Sequence, residues 1–388
     1  MFTRNFALIL FGNVILGAAM PMLIVLGALS GAQLAPYAWL TTAPPSAQTI
    51  AGILVASPIS LFMGRHGRRA GFLLGAFALT IGALLGVASL QIQSFSMLCI
   101  SHFVLGGAMT CVNYFRFAAA EAVNESHRPQ AISLTLASGL IAALVGPEIF
   151  SFSKDTIHTS PLAGAYLAMA MLGVAGLFPV LGLKLPPSQA KTSTSGGNAL
   201  RILRAHPTLF VPIGIAALSQ AIMILLMTPT PIAMVNVGFL EEHAADVIRW
   251  HVVAMFAPGF FSGHLINRFG DRLIAIAGLG LLLASAVVAL LGLNVGNFYG
   301  SLVLLGIGWN FGFVSGTHML QASLNKQNQA QIQGVNDTLL AVASSLASLL
   351  SGILYSGFGW IGLAVVTVPV LALMSTLLFR LERKATTL

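Results

Sequence analysis

The chain has 388 residues, of which 18 are Lys or Arg and 10 are Asp or Glu, giving a formal net charge of +8. Charged types make up 7% and apolar types 57%, whereas a soluble domain carries about 25% charged residues. This excludes a soluble globular protein, a disordered chain and a disulfide-stapled secreted domain, and makes lipid the solvent for most of the chain.

The apolar runs are continuous, as in LLGAFALTIGALLGVASL at 73–90. A membrane β-barrel would instead alternate over about ten residues, so the runs read as helices. The first follows MFTRN and extends from Phe6 to Leu29, too long for a cleaved signal, and is an uncleaved first helix. A crossing needs about 20 apolar residues. On that measure the spans are 5–29, 43–63, 71–92, 96–120, 130–152, 161–183, 207–236, 245–266, 273–293, 297–320, 331–355 and 360–380. The expected fold is an all-α integral membrane protein with twelve transmembrane helices in two pseudo-symmetric six-helix bundles. Residues 1–183 form the first bundle and 207–388 the second. Between them, residues 184–206 are rich in Ser, Gly and Pro and read as a cytoplasmic linker.

Charge sets the orientation. With the N-terminus in the cytoplasm, sixteen of the 18 Lys and Arg fall at inner helix ends or inner loops, and only Lys154 and Arg249 fall outside. Both termini are therefore expected in the cytoplasm of a bacterial cell, with the helices in its inner membrane. The same distribution argues against nucleic-acid binding. Cys99 and Cys111 lie on one helix about 18 Å apart and cannot bond to each other. The sequons at Asn124 and Asn336 fall in an inner loop and within a helix, so glycosylation is not expected.

The turn Ser60-Leu-Phe-Met-Gly64-Arg65-His66-Gly67-Arg68-Arg69 has a counterpart in Gly263-His-Leu-Ile-Asn267-Arg268-Phe269-Gly270-Asp271-Arg272, at an offset of 203 residues. Glycine permits the tight turn, and the arginines can meet helix C-termini and acidic partners. Arg65, Gly67, Arg68, Arg69, Arg268, Gly270 and Arg272 are thus candidate conformational latches, or plain positive-inside charge. The duplication points to a two-bundle transporter with a midplane site.

These turns resemble the signature loop of the major facilitator superfamily, with Gly64 and Asn267 where that loop carries Asp. Leu98, His102, Leu105 and Gly106 resemble a second motif of the family, with His102 at an Arg position. Gly139 and Gly146-Pro147 resemble part of its antiporter motif, without the following Gly-Gly. Tyr114-Phe-Arg116-Phe-Ala-Ala-Ala-Glu121, Phe256-Ala-Pro258-Gly-Phe-Phe-Ser-Gly263 and Gln333-Gly-Val-Asn336-Asp337 resemble a bacterial branch that includes proposed riboflavin importers. The resemblance implies alternating access and cavity-lining positions on helices one, four, seven and ten.

Ionisable groups within a membrane are expensive and so point to function. Asp337 reads as a coupling or gating carboxylate, or as a partner for the inner arginines. His102 and Glu148 are further candidates for proton coupling, as is Arg116 for gating, each against a structural alternative. Asn13, Asn113, Tyr114, Gln220, Trp309 and Asn310 are candidate solute ligands, because embedded amides need either a neighbouring helix or a ligand and Trp309 can stack on a planar ring. No metal, cofactor or nucleotide motif occurs. The expectation is a monomeric secondary transporter, not an enzyme, that moves a small organic solute with protons as candidate co-ion. A planar nutrient such as riboflavin is the favoured cargo. An efflux antiporter and a transport-dead sensor are the alternatives.

Overall fold

The computed structural model describes residues 3–124, 127–185, 203–204, 206–324 and 326–386, all helix or connection with no strand among them. Lys191, Arg201 and most of the expected linker lie outside the described residues, as do the side chains of Lys326, Arg380, Arg383 and Lys384.

In the first half of the sequence α1 (Arg4–Gly17) and α2 (Ala19–Leu34) make one crossing with an interruption at Ala18. Next come α3 (Ala43–His66), α4 (Arg68–Gln91), α5 (Phe95–Val112) and its short continuation α6 (Phe115–Glu121), α7 (Arg128–Ser153) and α8 (Ala163–Leu181). Pro44 sits in the first turn of α3, where a missing N–H leaves no helical bond unmade, and the helix continues through Pro58 in its interior, as membrane helices tolerate. The second half holds α9 (Phe210–Met227), α10 (Thr230–Asn236), α11 (Glu241–Phe256), α12 (Gly259–Phe269), α13 (Asp271–Leu290), α14 (Val295–Ala322) and α15 (Lys326–Thr386). Pro229 and Pro258 mark the breaks between α9 and α10 and between α11 and α12.

Among the described residues, ten stretches are long and apolar enough to cross a membrane. One of them, Ile332–Leu373, is 42 residues long, about twice what one crossing needs. It turns at Gly359, with φ 65° and ψ −171°, and so supplies two crossings. The α11–α12 pair supplies another, disguised by the charges in its first turns. The described residues thus make twelve crossings.

They form two compact units, one within residues 1–191 together with 234–253, the other within 192–233 together with 254–388. In the first unit Phe6, Met22, Phe72, Phe115 and Tyr166 are fully buried, and the Phe72 and Phe115 rings stack 4.0 Å apart and nearly parallel. Segment 234–253 comes from the second half of the sequence yet groups with this unit. Its charged turn is ion-paired to the end of α7, as described below. In the second unit α13 and α14 touch backbone to backbone. A methyl on Gly278 would lie 2.5 Å from the Gly312 nitrogen and 2.9 Å from the Gly308 oxygen, so small residues set this approach. Outward faces are apolar too, with Phe152 88% and Phe178 74% exposed, as a lipid-facing surface requires.

The repeated turns share one backbone conformation. Gly67 lies at φ 87°, ψ 159° and Gly270 at φ 85°, ψ 148°, a region open essentially to glycine alone. A Cβ at either position would meet nothing within 4 Å, so any penalty for a side chain comes from the backbone. Gly67→Ala and Gly270→Ala should each destabilise by about 1–3 kcal/mol, read as a lower melting temperature of the detergent-solubilised protein. An unchanged melting temperature in either variant would show that the turn tolerates an ordinary backbone.

Candidate functional site

Directly after each repeated glycine, a charged residue ties the new helix to the far end of the next crossing. In the first unit Arg68, at the start of α4, donates to Glu121 at the end of α6 through Nη2 (2.8 Å) and Nε (3.3 Å). Its side chain is 10% exposed, and the guanidinium also lies over the Tyr114 ring at 5.4 Å. In the second unit Asp271, at the start of α13, sits 3.3 Å from His318 Nδ1 near the end of α14. The joint is repeated with its polarity reversed. Arg65, Arg69, Arg268 and Arg272 are exposed.

The first unit gives the other expected residues different surroundings. Asn13 donates to the Thr135 carbonyl (3.0 Å) and to Ser138 Oγ (2.9 Å), tying α1 to α7. Asn113 is exposed at the interruption between α5 and α6, and the Tyr114 hydroxyl reaches the Ala56 carbonyl at 3.5 Å. Arg116 is exposed with its guanidinium 4.8 Å from the Phe117 ring centre. His102 is wholly buried, its Nε2 2.7 Å from the Tyr166 hydroxyl, which lies 2.9 Å from Ser30 Oγ. Ser30 donates its one hydrogen to the Leu26 carbonyl. The chain of donors therefore runs from His102 Nε2–H through Tyr166 to Ser30, leaving Nδ1 as a bare acceptor beside Gly27.

In the second unit a polar chain crosses three helices. Trp309 Nε1 on α14 donates to Gln220 Oε1 on α9 at 2.7 Å, and Gln220 Nε2 donates to Ser344 Oγ on α15 at 3.0 Å. The indole stacks on Phe313 at 5.0 Å and 19°, and meets Phe256 edge-on at 6.4 Å. Asn310, one residue on, is buried and donates to the Met255 carbonyl at 2.8 Å. That carbonyl lies next to the Pro258 break, where the regular helical acceptor pattern is interrupted. Asp337 is exposed. It accepts from Gln333 at 2.8 Å and lies 3.5 Å from the Asn336 amide, with no cation paired to it among the described residues.

Five of the ten carboxylates gather with two cations at the end of α7 and the start of α11. Lys154 Nζ is 2.7 Å from Asp155, 3.1 Å from Glu242 and 3.2 Å from Glu241. Arg249 bonds Glu148 at 2.6 Å and Asp246 at 2.7 Å. The Lys154 and Arg249 side chains are only 10% and 18% exposed. Burial opposes the Lys154 charge, but the surrounding carboxylates more than offset it and lift its pKa above the usual 10.5. Burial likewise opposes ionisation of Glu242, but its own backbone N–H and Lys154 hold the carboxyl below 4.5.

Glu148 thus belongs to an ion-paired cluster, with Arg249 rather than Lys154 as its partner. Sequence reasoning did not single out Ser344, Tyr166, Phe256 or Phe313. Serines and aromatics are too common in apolar helices to stand out, although Glu241-Glu242 next to a membrane span was a readable signal. No group of three or more His, Cys, Asp or Glu able to hold a metal occurs among the described residues.

The Major Facilitator Superfamily profile matches residues 233–387, and the Sugar (and other) transporter profile matches residues 30–190. The chain is 35% identical over 385 residues to the riboflavin transporter RfnT of Brucella anthropi, covering 98% of this chain and 96% of that protein. It is 28% identical to the MFS-type transporter YddS of Bacillus subtilis over 91% of this chain and 85% of that one. Among solved structures, a variant of the nucleoside transporter NupG superposes with a TM-score of 0.77 at 12% identity, covering 98% of this chain and 100% of that one. A D-xylose-proton symporter superposes with a TM-score of 0.73 at 11% identity, covering 96% of each chain. At such identities the superpositions establish the fold.

The α7–α11 cluster makes a pH prediction. The Glu242 contribution is present above about pH 4.5 and is lost as pH falls below it, whereas the Lys154 contribution is present below about pH 10.5 and is lost above its raised value. Stability from this cluster is therefore flat between those limits. Lys154→Met leaves Asp155, Glu241 and Glu242 facing one another unneutralised. Its melting temperature should rise by about 2–4 °C between about pH 7.5 and pH 5 as the carboxylates take up protons, while the wild-type stays level. Parallel profiles would show that Lys154 does not hold the carboxylates together.

Proposed function

Because the chain belongs to the major facilitator superfamily, we propose that it imports a small planar organic solute, with riboflavin as the leading candidate, across a bacterial inner membrane. Residues 1–183 and 207–388 act as two bundles that rock about a midplane site and are joined by the cytoplasmic linker 184–206. The observation that carries the reading is the Trp309–Gln220–Ser344 chain with Phe256 and Phe313, which puts a flat aromatic surface beside an oriented amide. Similarity to the riboflavin transporter over nearly the whole chain supplies the ring.

With the termini inside, the Arg68–Glu121 and Asp271–His318 joints lie on the cytoplasmic side and the Lys154 and Arg249 cluster on the outer side. The outer ion pairs, Glu148–Arg249 included, hold the α7 and α11 ends together and break when the outer side opens. Asp337, exposed and bonded by the Gln333 amide, is the carboxylate that takes up and releases the coupling proton. His102, hydrogen-bonded and wholly buried, orders the first bundle.

Expression in a riboflavin-requiring strain should restore growth at low external riboflavin, with uptake into right-side-out vesicles exceeding that into everted ones. The reverse preference would make the protein an exporter, and no flux in either would remove riboflavin as cargo. Asp337→Asn should abolish proton-driven accumulation while leaving solute exchange within about twofold of wild-type. Unchanged accumulation would take Asp337 out of coupling. Trp309→Ala should weaken solute binding by roughly tenfold through lost stacking, measured as a rise in the half-saturating concentration for uptake.

A further inference from the structure

An indole nitrogen can only donate, so the Gln220 atom 2.7 Å from Trp309 Nε1 is the carboxamide oxygen. Gln220 Nε2 then faces Ser344 Oγ at 3.0 Å. Ser344 uses its own hydrogen on the Leu340 carbonyl at 2.9 Å, so here it accepts. Two partners on two other helices thus fix which way the amide points. A carboxamide has two N–H donors and two acceptor lone pairs. Trp309 takes one lone pair and Ser344 takes one hydrogen, leaving one donor and one acceptor on a rigid planar group. Gln220, Trp309, Phe256 and Phe313 are all only partly buried, so that remaining capacity sits beside an accessible aromatic surface. Asn310, the neighbouring amide, is turned to the Met255 carbonyl instead.

We propose that Gln220 selects solutes carrying a lactam or imide edge, a ring N–H adjacent to a ring C=O, on a planar heterocycle stacked at Trp309. This rests on the planar-solute reading above and adds the chemistry of recognition to it. A carboxamide and a cyclic amide can form two antiparallel hydrogen bonds, the same complementarity by which Asn and Gln read the edge of a base. The pyrimidinedione ring of a flavin has such an edge, whereas a phenazine has the flat surface without it. An analogue that lacks the donor leaves the amide unpaired in a partly desolvated site, which penalises binding.

The test uses the purified full-length chain in lipid nanodiscs, with quenching of tryptophan emission as the readout and Trp309→Phe to assign the signal. Lumichrome, its derivative methylated at both ring N–H positions (N1 and N3), and phenazine are the probes. Lumichrome should bind the wild-type about tenfold more tightly than the methylated form. In Gln220→Leu that preference should fall to within about twofold. Gln220→Met preserves the side-chain volume should the leucine variant fail to fold. Equal binding of the two lumichromes to the wild-type, a preference that survives both substitutions, or no lumichrome binding would overturn the proposal. An edge preference without riboflavin flux in vesicles would sustain it while removing riboflavin as cargo. Riboflavin flux without an edge preference would do the reverse.

Discussion

A polar group placed among apolar helices in lipid has no water to fall back on and must find its partner inside the protein. That requirement organises this molecule. Asn13 ties α1 to α7 through a carbonyl and a hydroxyl. Asn310 takes a carbonyl beside a proline break, and His102, Tyr166 and Ser30 hand one hydrogen bond along a line that ends on a backbone oxygen. Gln220 is oriented by two partners while a donor and an acceptor of its amide remain for something else.

Charge follows a related rule. The chain has few ionisable residues, and those near its helix ends gather into cross-links between crossings. Arg68 and Glu121 close one joint, Asp271 and His318 close its repeat, and Lys154 and Arg249 hold five carboxylates. The two joints start from equivalent positions with opposite polarity: each follows the glycine turn, while the partners, Glu121 and His318, differ in chemistry and in register.

The sequence located most of the architecture. Helix Ala43–His66 extends through its prolines where 43–63 was expected, and the stretch after Lys326 turns at Gly359 in the gap between the expected spans 331–355 and 360–380. Gly67 and Gly270 adopt matching conformations, as their repeated surroundings suggested. The candidate site was legible only as separate residues. Gln220 and Trp309 stood out as polar and aromatic groups within spans, but nothing in a linear pattern shows that they touch across 89 positions. Likewise Glu121 is bonded by Arg68, which lies 53 positions away.

The division has a physical basis. Hydropathy, proline and glycine positions and the bias of basic residues act on each segment alone, through its transfer into lipid and its local backbone, so the amino-acid sequence by itself determined the crossings, the turns and the repeat. Which side chains meet depends on how each helix is rotated about its axis and where it crosses its neighbours, and small residues such as Gly278 and Gly308 control that approach. Only the tertiary structure could therefore decide that the Gln220 amide is held between Trp309 and Ser344, and that Lys154 and Arg249 close on carboxylates at the ends of α7 and α11.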